Sequence, residues 1–192
     1  MKFILSGGWN NKSEDSIKKC FLYTYKDQIL QDFENGKKIA FVNLAKPAKY
    51  YDALIYSIYE DKIEIIEDDI KSVEWSEYDG LYFLGGTAMT LKNNLLSLGF
   101  SLDNIKPTAK ILGDSAGAYA MSSYFYDSPP GEKRGVEINF IAGFNNIYNV
   151  ITIAHKNNPF YCNDILITKV NTFAKENNLR VIMLNENEQV DL

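Results

Sequence analysis

A serine flanked by glycines follows a short apolar run in the middle of the chain. Gly113, Ser115 and Gly117 form a Gly-x-Ser-x-Gly motif between Ile111-Leu112 and an alanine-rich stretch. In the turn from a strand to a helix that such a motif forms, the glycines relieve crowding and the serine oxygen is held up at the sheet edge. The motif therefore predicts a serine nucleophile. The alternative is a helix start at which Ser115 is only an N-cap.

A glycine pair, Gly85-Gly86, directly follows the apolar run Leu81–Leu84. A turn built from two glycines exposes backbone N–H groups at the edge of a sheet. One of these N–H groups, together with that of Ala116, would form an oxyanion hole for an acyl-transfer intermediate. The pair has two other interpretations, a tight strand-to-helix turn and an anion site at a helix N-terminus.

The sequence contains one histidine, His155, so any imidazole chemistry falls to this residue. It follows the apolar run Val150–Ala154, and the C-terminal end of a strand in a parallel sheet is the edge where ligands bind. A lone histidine is more often structural than catalytic. Its position downstream of the Ser115 motif, however, is compatible with the order Ser, acid, His. We therefore expect Ser115 and His155 to act as a pair.

Short apolar runs alternate with longer amphipathic segments, which predicts an α/β fold with a mostly parallel sheet covered on both faces by helices. The predicted strands are Phe3–Ser6, Lys38–Leu44, Ile63–Ile66, Leu81–Leu84, Ala109–Leu112, Val150–Ala154 and Val181–Leu184. The predicted helices are Ser13–Asn35, Lys49–Glu60, Ala88–Leu98, Ala116–Tyr126 and Asp164–Asn177. The segment Ser128–Gly143 has no clear period and is predicted to be a loop that lines a site. With no internal repeat or linker, we expect a single domain over residues 1–192.

Charge and cysteine usage limit the classes of partner and of metal site that we expect for this chain. The net charge is −5 and the lysines and arginines are scattered, so a nucleic-acid partner is not expected. Cys20 and Cys162 lie far apart without a CxxC pair, which argues against a disulfide and a zinc site. The N-terminal apolar run is too short for a signal peptide or a membrane span. A cytoplasmic protein without a membrane partner is expected.

The chain resembles the peptidase E family of serine peptidases, which includes the cyanophycinases and has a fold related to class I glutamine amidotransferases. The resemblance covers nearly the whole chain and rests on Leu5-Ser6-Gly7-Gly8, Tyr82–Gly86, Gly113–Ala118, Ile141–Phe144 and Ala154-His155. It implies a three-layer α/β/α fold with Ser115 as nucleophile, His155 as general base, and the Gly86 and Ala116 N–H groups as the oxyanion hole. It also implies hydrolysis of short peptides, of which Asp-X dipeptides are the best-known case, without a metal or cofactor.

The third catalytic residue does not follow from the resemblance. Pro130 stands where the dipeptidase branch has its assigned acid. Of the acidic residues nearby, Asp127 is our first choice for the third member and Glu137 the second. Each is more often a solvated loop charge than a member of a triad. Lys156, Arg134 and Lys169 are candidates for binding a substrate carboxylate, although such residues are usually solvated.

Other departures from the family pattern leave two further functions open. Thr87 and Ala88 replace the usual Asn and Thr after the glycine pair, and Ala154 replaces the usual proline before the histidine. These changes and the missing acid are compatible with a non-catalytic binding or regulatory homologue. An esterase that uses the same Ser–His pair is the other alternative. The chain also ends earlier than is usual in the family, which predicts a short or truncated member. A small peptide is the expected partner, with a homodimer as an alternative to a monomer.

Overall fold

The computed structural model describes residues 1–47, 49–67 and 69–192, which form a mixed α/β fold with two mostly parallel sheets. The strands are β1 (Lys2–Ser6), β2 (Ile39–Val42), β3 (Glu64–Ile66), β4 (Gly80–Phe83), β5 (Lys110–Asp114), β6 (Ser122–Asp127), β7 (Asn139–Ala142), β8 (Ile147–Ile153), β9 (Arg180–Met183) and β10 (Gln189–Asp191). The helices are α1 (Glu14–Lys19), α2 (Phe21–Thr24), α3 (Lys26–Glu34), α4 (Asp52–Tyr59), α5 (Ala88–Ser97), α6 (Ala116–Met121) and α7 (Asp164–Glu176). All seven predicted strands are present, which confirms the α/β class.

The larger sheet has the strand order β10-β1-β5-β4-β2-β3, and only β10 runs antiparallel to its neighbour. In its register Ser6 lies opposite Asp114, and Phe83 lies opposite Gly113. The carboxyl ends of β1, β4 and β5 therefore meet side by side. The loops that follow these strands share one edge of the sheet, as expected for a parallel α/β fold.

Both faces of this sheet are covered at its centre, which explains why β2 and β4 contain no charged residue and are buried throughout. Phe41 and Tyr82 point to one face, where they pack with residues of α2, α3 and α4. Val42 and Phe83 point to the other face, where they pack with residues of α5 and α6. Neighbouring residues of one strand thus enter two different cores, as the period of two requires.

The smaller sheet has the order β7-β6-β8-β9, in which β6, β8 and β9 are parallel and β7 is antiparallel. Helix α7 packs on this sheet, through Leu166 and Val170 among others. The two sheets meet near the ends of β1 and β8, where the His155 N–H donates to the Gly7 carbonyl at 2.8 Å. This contact brings the carboxyl edges of the two sheets together.

Three expectations about the elements were wrong. The predicted helix Ala116–Tyr126 ends at Met121, because Ser122 leaves the helix and its hydroxyl pairs with Thr152 of β8 at 2.8 Å. The aromatic residues that follow form β6, so the chain has two sheets where one was expected. The predicted helix Ser13–Asn35 is three shorter helices. The strands β7 and β10 were not predicted. A single domain over residues 1–192 stays a prediction.

In the described residues, no helix is long and apolar enough to cross a membrane.

Candidate active site

Ser115 lies in the turn between β5 and α6, in the strand–turn–helix setting that the sequence predicts. The backbone of Ser115 is in an unfavourable region for a residue with a side chain, with φ 49° and ψ −100°. The two motif glycines allow this turn to close because they carry no side chain. A Cβ on Gly113 would lie 2.6 Å from the Gly117 carbonyl carbon, and one on Gly117 would lie 2.5 Å from the Phe83 oxygen. Neither position has room for a side chain.

His155 follows β8 and directs its ring at Ser115. The Nε2 atom lies 3.0 Å from the Ser115 Oγ, within hydrogen-bond distance. A Cβ on Gly8 would lie 2.3 Å from the imidazole, so a glycine is required there for the ring to occupy this place. The Tyr161 ring packs 4.7 Å from the imidazole, centroid to centroid. The structure therefore brings together the two residues that the sequence pairs.

Glu186 completes a line of three side chains. Its Oε1 lies 2.9 Å from the His155 Nδ1, and the same oxygen accepts a hydrogen bond from the Asn158 side-chain amide at 2.8 Å. The Glu186 N–H donates to the Asn157 side chain at 2.8 Å. A carboxylate can only accept a hydrogen bond, so we assign the proton of the neutral imidazole to Nδ1, which donates to Glu186. This tautomer leaves Nε2 free to accept from Ser115.

Burial lowers the pKa of His155, and the hydrogen bond and negative charge of Glu186 partly oppose that effect. The ring is therefore neutral at neutral pH, which is the state that can accept a proton from Ser115. Glu186 would stabilise the imidazolium that such a transfer produces. The geometry and the charge of the three residues together suit general-base activation of a serine.

The structure does not bring the two predicted acids to His155. Asp127 is exposed at the end of β6 and lines the cleft, but Glu186 occupies the only imidazole nitrogen that faces away from Ser115. Glu137 is exposed and forms an ion pair with Lys133 at 2.9 Å. The carboxylate that the structure places against His155 is thus that of Glu186, and not that of Asp127 or Glu137. The signal that could have found Glu186 is its position just after the predicted strand Val181–Leu184, at the same sheet edge as His155.

The two expected oxyanion-hole residues lie in the turns that follow the paired strands β4 and β5. Ala116 is the first residue of α6, and Gly86 follows β4. A Cβ on Gly85 would lie 3.4 Å from the Ser115 Cβ, so the glycine pair packs against the serine. Within residues 1–47, 49–67 and 69–192, neither the Gly86 nor the Ala116 N–H has a protein acceptor. Neither donor is therefore used within the described part of the protein, as an oxyanion hole requires.

Asp114, the residue before Ser115, is a buried carboxyl that ties two strand ends together. Its Oδ1 accepts a hydrogen bond from the Ser6 hydroxyl at 2.6 Å. Burial raises the pKa of Asp114 to about 7, against the lowering effect of hydrogen bonds from Ser6 and the Gly8 N–H. Asp114 directly precedes Ser115 in the chain, and Ser6 and Gly8 belong to the segment that packs against the His155 ring. This carboxyl therefore links the turn that carries Ser115 with the segment beside His155.

The three side chains open into a cleft of about 880 Å³, a size typical of a small-molecule site. Its charged lining consists of three basic residues, Lys12, Lys46 and Arg134, and three acids, Asp114, Asp127 and Glu186. Two of these acids are already engaged within the protein, Asp114 by the Ser6 hydroxyl and Glu186 by His155. Seven aromatic residues also line the cleft: Trp9, Tyr50, Tyr51, Tyr119, Tyr126, Phe160 and Tyr161. The cations that face the cleft therefore suit a small ligand that carries negative charge.

Arg134 is the most buried of these cations, with 7% of its surface exposed. Its guanidinium donates to the main-chain oxygens of Tyr161 and Ser128 and lies over the Tyr126 ring at 5.1 Å. It forms no ion pair with any carboxylate of the described residues. A buried charge without a counter-ion is costly, so an anionic ligand would complete this arrangement.

No protein-family model matches the chain, and a search of curated proteins finds no similar sequence.

Proposed function

We propose that the chain is a serine-type hydrolase of short peptides, with Ser115 as the nucleophile, His155 as the general base and Glu186 as the residue that orients His155. The observation that carries this proposal is the line of hydrogen bonds from the Ser115 Oγ through both imidazole nitrogens to Glu186. The resemblance to the peptidase E family, and to the three-layer fold related to class I glutamine amidotransferases, supports the same reaction class.

In the first half of the reaction, His155 takes the Ser115 proton while the Oγ attacks the carbonyl carbon of the scissile amide. The N–H groups of Gly86 and Ala116 stabilise the resulting oxyanion, and removal of one such donor typically costs about 10²–10³ in kcat. The imidazolium then protonates the leaving amine and the C–N bond breaks. An acyl-enzyme on Ser115 and a free amine are the products of this half.

In the second half, His155 accepts a proton from water as the water attacks the acyl-enzyme. Collapse of this second tetrahedral intermediate returns the proton to Ser115 and releases a carboxylic acid. The imidazole is charged between the two proton transfers of each half, and Glu186 stabilises it then. No redox step occurs, and the residues named supply each proton transfer.

Acidic short peptides are the substrate class that the cleft favours. Arg134 lacks a carboxylate partner among the described residues, and Lys12 and Lys46 line the same cleft. The best-known branch of the resembled family acts on Asp-X dipeptides, which carry two carboxylates. A non-catalytic homologue is less well supported, because Glu186 occupies the place of the acid that seemed to be missing at Pro130.

A matched panel of dipeptides tests the proposal. Asp-X and Glu-X are compared with the near-isosteric neutral Asn-X and Gln-X, and simple esters are included for the esterase alternative. We expect Asp-X or Glu-X to be cleaved at least about 10-fold faster than its neutral match, because a charge-assisted contact is lost in the latter. The Ser115→Ala variant serves as the control. Absence of Ser115-dependent cleavage of every peptide, with esters cleaved, would favour the esterase.

A further inference from the structure

The peptide group between Gly85 and Gly86 needs an external restraint if its N–H is to act as an oxyanion donor. Glycine on both sides leaves this group little steric hindrance to rotation, and Gly86 has a φ of 153°. A donor of an oxyanion hole must be aimed in advance at the position of the developing charge. A freely rotating peptide group would lose that advantage.

Tyr51 supplies such a restraint. Its hydroxyl donates to the Gly85 carbonyl oxygen at 3.2 Å. The C=O and N–H of one trans peptide group lie in one plane and point in opposite directions. A bond that holds the Gly85 carbonyl therefore also sets the direction of the Gly86 N–H. On the other side of Gly86, the Thr87 N–H donates to the Ala45 carbonyl at 2.9 Å, so the turn is held at both ends.

Tyr51 is itself well held. It is 7% exposed and precedes α4, and its ring contacts Trp9 at 6.1 Å and Tyr50 at 5.0 Å, centroid to centroid. Burial raises the pKa of the Tyr51 phenol well above its usual value, so the hydroxyl keeps its proton. A rigid, protonated hydroxyl at this place is a constant donor to Gly85.

We propose that Tyr51 is a positioning residue of the oxyanion hole, which holds the Gly85–Gly86 peptide group with the Gly86 N–H directed at the reacting carbonyl. This inference rests on the proposed hydrolase function. The hydrogen bond from Tyr51 should stabilise the transition state, in which the substrate oxygen carries negative charge, and should not change the binding of the substrate.

The test compares Tyr51→Phe with Tyr59→Phe. Tyr59 is also buried and also donates its hydroxyl to a backbone carbonyl, that of Leu22, but it does not line the cleft. The two variants remove the same kind of hydrogen bond. kcat and KM are measured on the best peptide substrate, with rates expressed per Ser115 titrated to completion by a fluorophosphonate. The inhibition constant of the matching peptide aldehyde, which forms a tetrahedral adduct, is measured in parallel.

We expect Tyr51→Phe to lower kcat by about 10-fold, less than the loss of a donor itself, with KM unchanged. The affinity for the aldehyde should fall by a similar factor, and Tyr59→Phe should leave all three constants near the wild-type values. A kcat for Tyr51→Phe equal to that of Tyr59→Phe would overturn the proposal. So would a raised KM at constant kcat, which would make Tyr51 a substrate-binding residue.

Two further outcomes are distinguishable. If Tyr51→Phe does not fold, 3-fluorotyrosine placed at position 51 keeps the ring and a hydroxyl of stronger donor character. A kcat above the wild-type value then supports the proposal, and an unchanged or lowered kcat overturns it. A wild-type protein that neither cleaves peptides nor reacts with the fluorophosphonate removes the proposed function, and the role of Tyr51 falls with it.

Discussion

Two loops of the smaller sheet flank the cleft and carry acidic residues, yet they contribute differently. The loop after β9 places Glu186 against His155, with the carboxylate held by Asn158 and its main chain held by Asn157. The end of β6 and the loop after it, together called the β6 loop, leave their acids Asp127, Glu132 and Glu137 exposed. What the β6 loop directs into the cleft is a cation, Arg134.

The difference follows from strand direction. Strand β9 is parallel to β8 and is its direct neighbour, so both strands end at the same edge and Glu186 meets His155. Strand β6 is parallel to β8 as well, but it continues into an antiparallel return through β7. Its loop therefore runs along the rim of the cleft. One loop would serve catalysis and the other would serve binding.

The largest expected effect is that of Glu186→Gln. The amide cannot stabilise the imidazolium and can stabilise the wrong tautomer, so we expect kcat to fall by about 10²–10⁴-fold with little change in KM. Glu188→Gln is the matched control, because Glu188 lies in the same loop and is exposed, and the one hydrogen bond of its carboxylate among the described residues is from the nearby Asn185 N–H at 2.8 Å. Equal kcat values for the two variants would remove Glu186 from the mechanism.

The second prediction concerns Arg134→Gln. We expect KM for an acidic dipeptide to rise by about 10-fold or more, because a charge-assisted contact in the cleft is lost. The neutral Asn-X analogue provides the control, since its KM should change far less. Loss of activity on both substrates to the same extent would show that Arg134 only supports the loop through Ser128 and Tyr161.

The third prediction concerns pH. Activity requires neutral His155, and the pKa of this residue is lowered, so the acidic limb of kcat/KM should lie below the ordinary histidine value of about 6.5. Glu186→Gln removes a group that raises the pKa of His155, so the limb should move to lower pH in that variant. A limb above 6.5 in the wild type, or one that moves to higher pH in the variant, would contradict this interpretation.

The smallest effects are expected in the β6 loop. Asp127→Asn should change kcat/KM by less than about 3-fold, because an exposed charge at the rim acts only through the local potential. Glu137→Gln should have no measurable effect, since Glu137 is exposed and pairs only with Lys133. A loss for Asp127→Asn as large as that for Glu186→Gln would reverse the comparison of the two loops.

The same contrast explains what could be predicted from the sequence. Ser115 and His155 belong to short local patterns, a glycine-flanked turn and a strand end, so their place at one sheet edge followed from neighbouring residues. Glu186 reaches His155 only because β9 pairs with β8, and paired residues of these strands lie 30 positions apart in the chain, as Val150 and Arg180 do. The sequence predicted that strand but not which residue after it would face the imidazole.

The division of the strands into two sheets could not be predicted from local sequence patterns either. The segment from Ser122 to Asp127 contains serines and aromatic residues, which suit either a helix end or a strand. Its conformation is decided by distant partners, Thr152 through a hydroxyl pair and Asn139 through the β7 pairing. Neither partner is visible in the segment itself. Tyr51 is a similar case, since its bond to Gly85 spans 34 positions.

The most direct test of the central claim is the reaction of the folded protein with a fluorophosphonate, followed by peptide mapping of the modified residue. We expect a single adduct on Ser115, formed far more slowly in His155→Ala and absent in Ser115→Ala. Thermal unfolding of each variant shows that the fold is intact. No adduct on Ser115 in the folded wild type, or the same labelling rate in His155→Ala, would contradict the assignment of Ser115 and His155 as a catalytic pair.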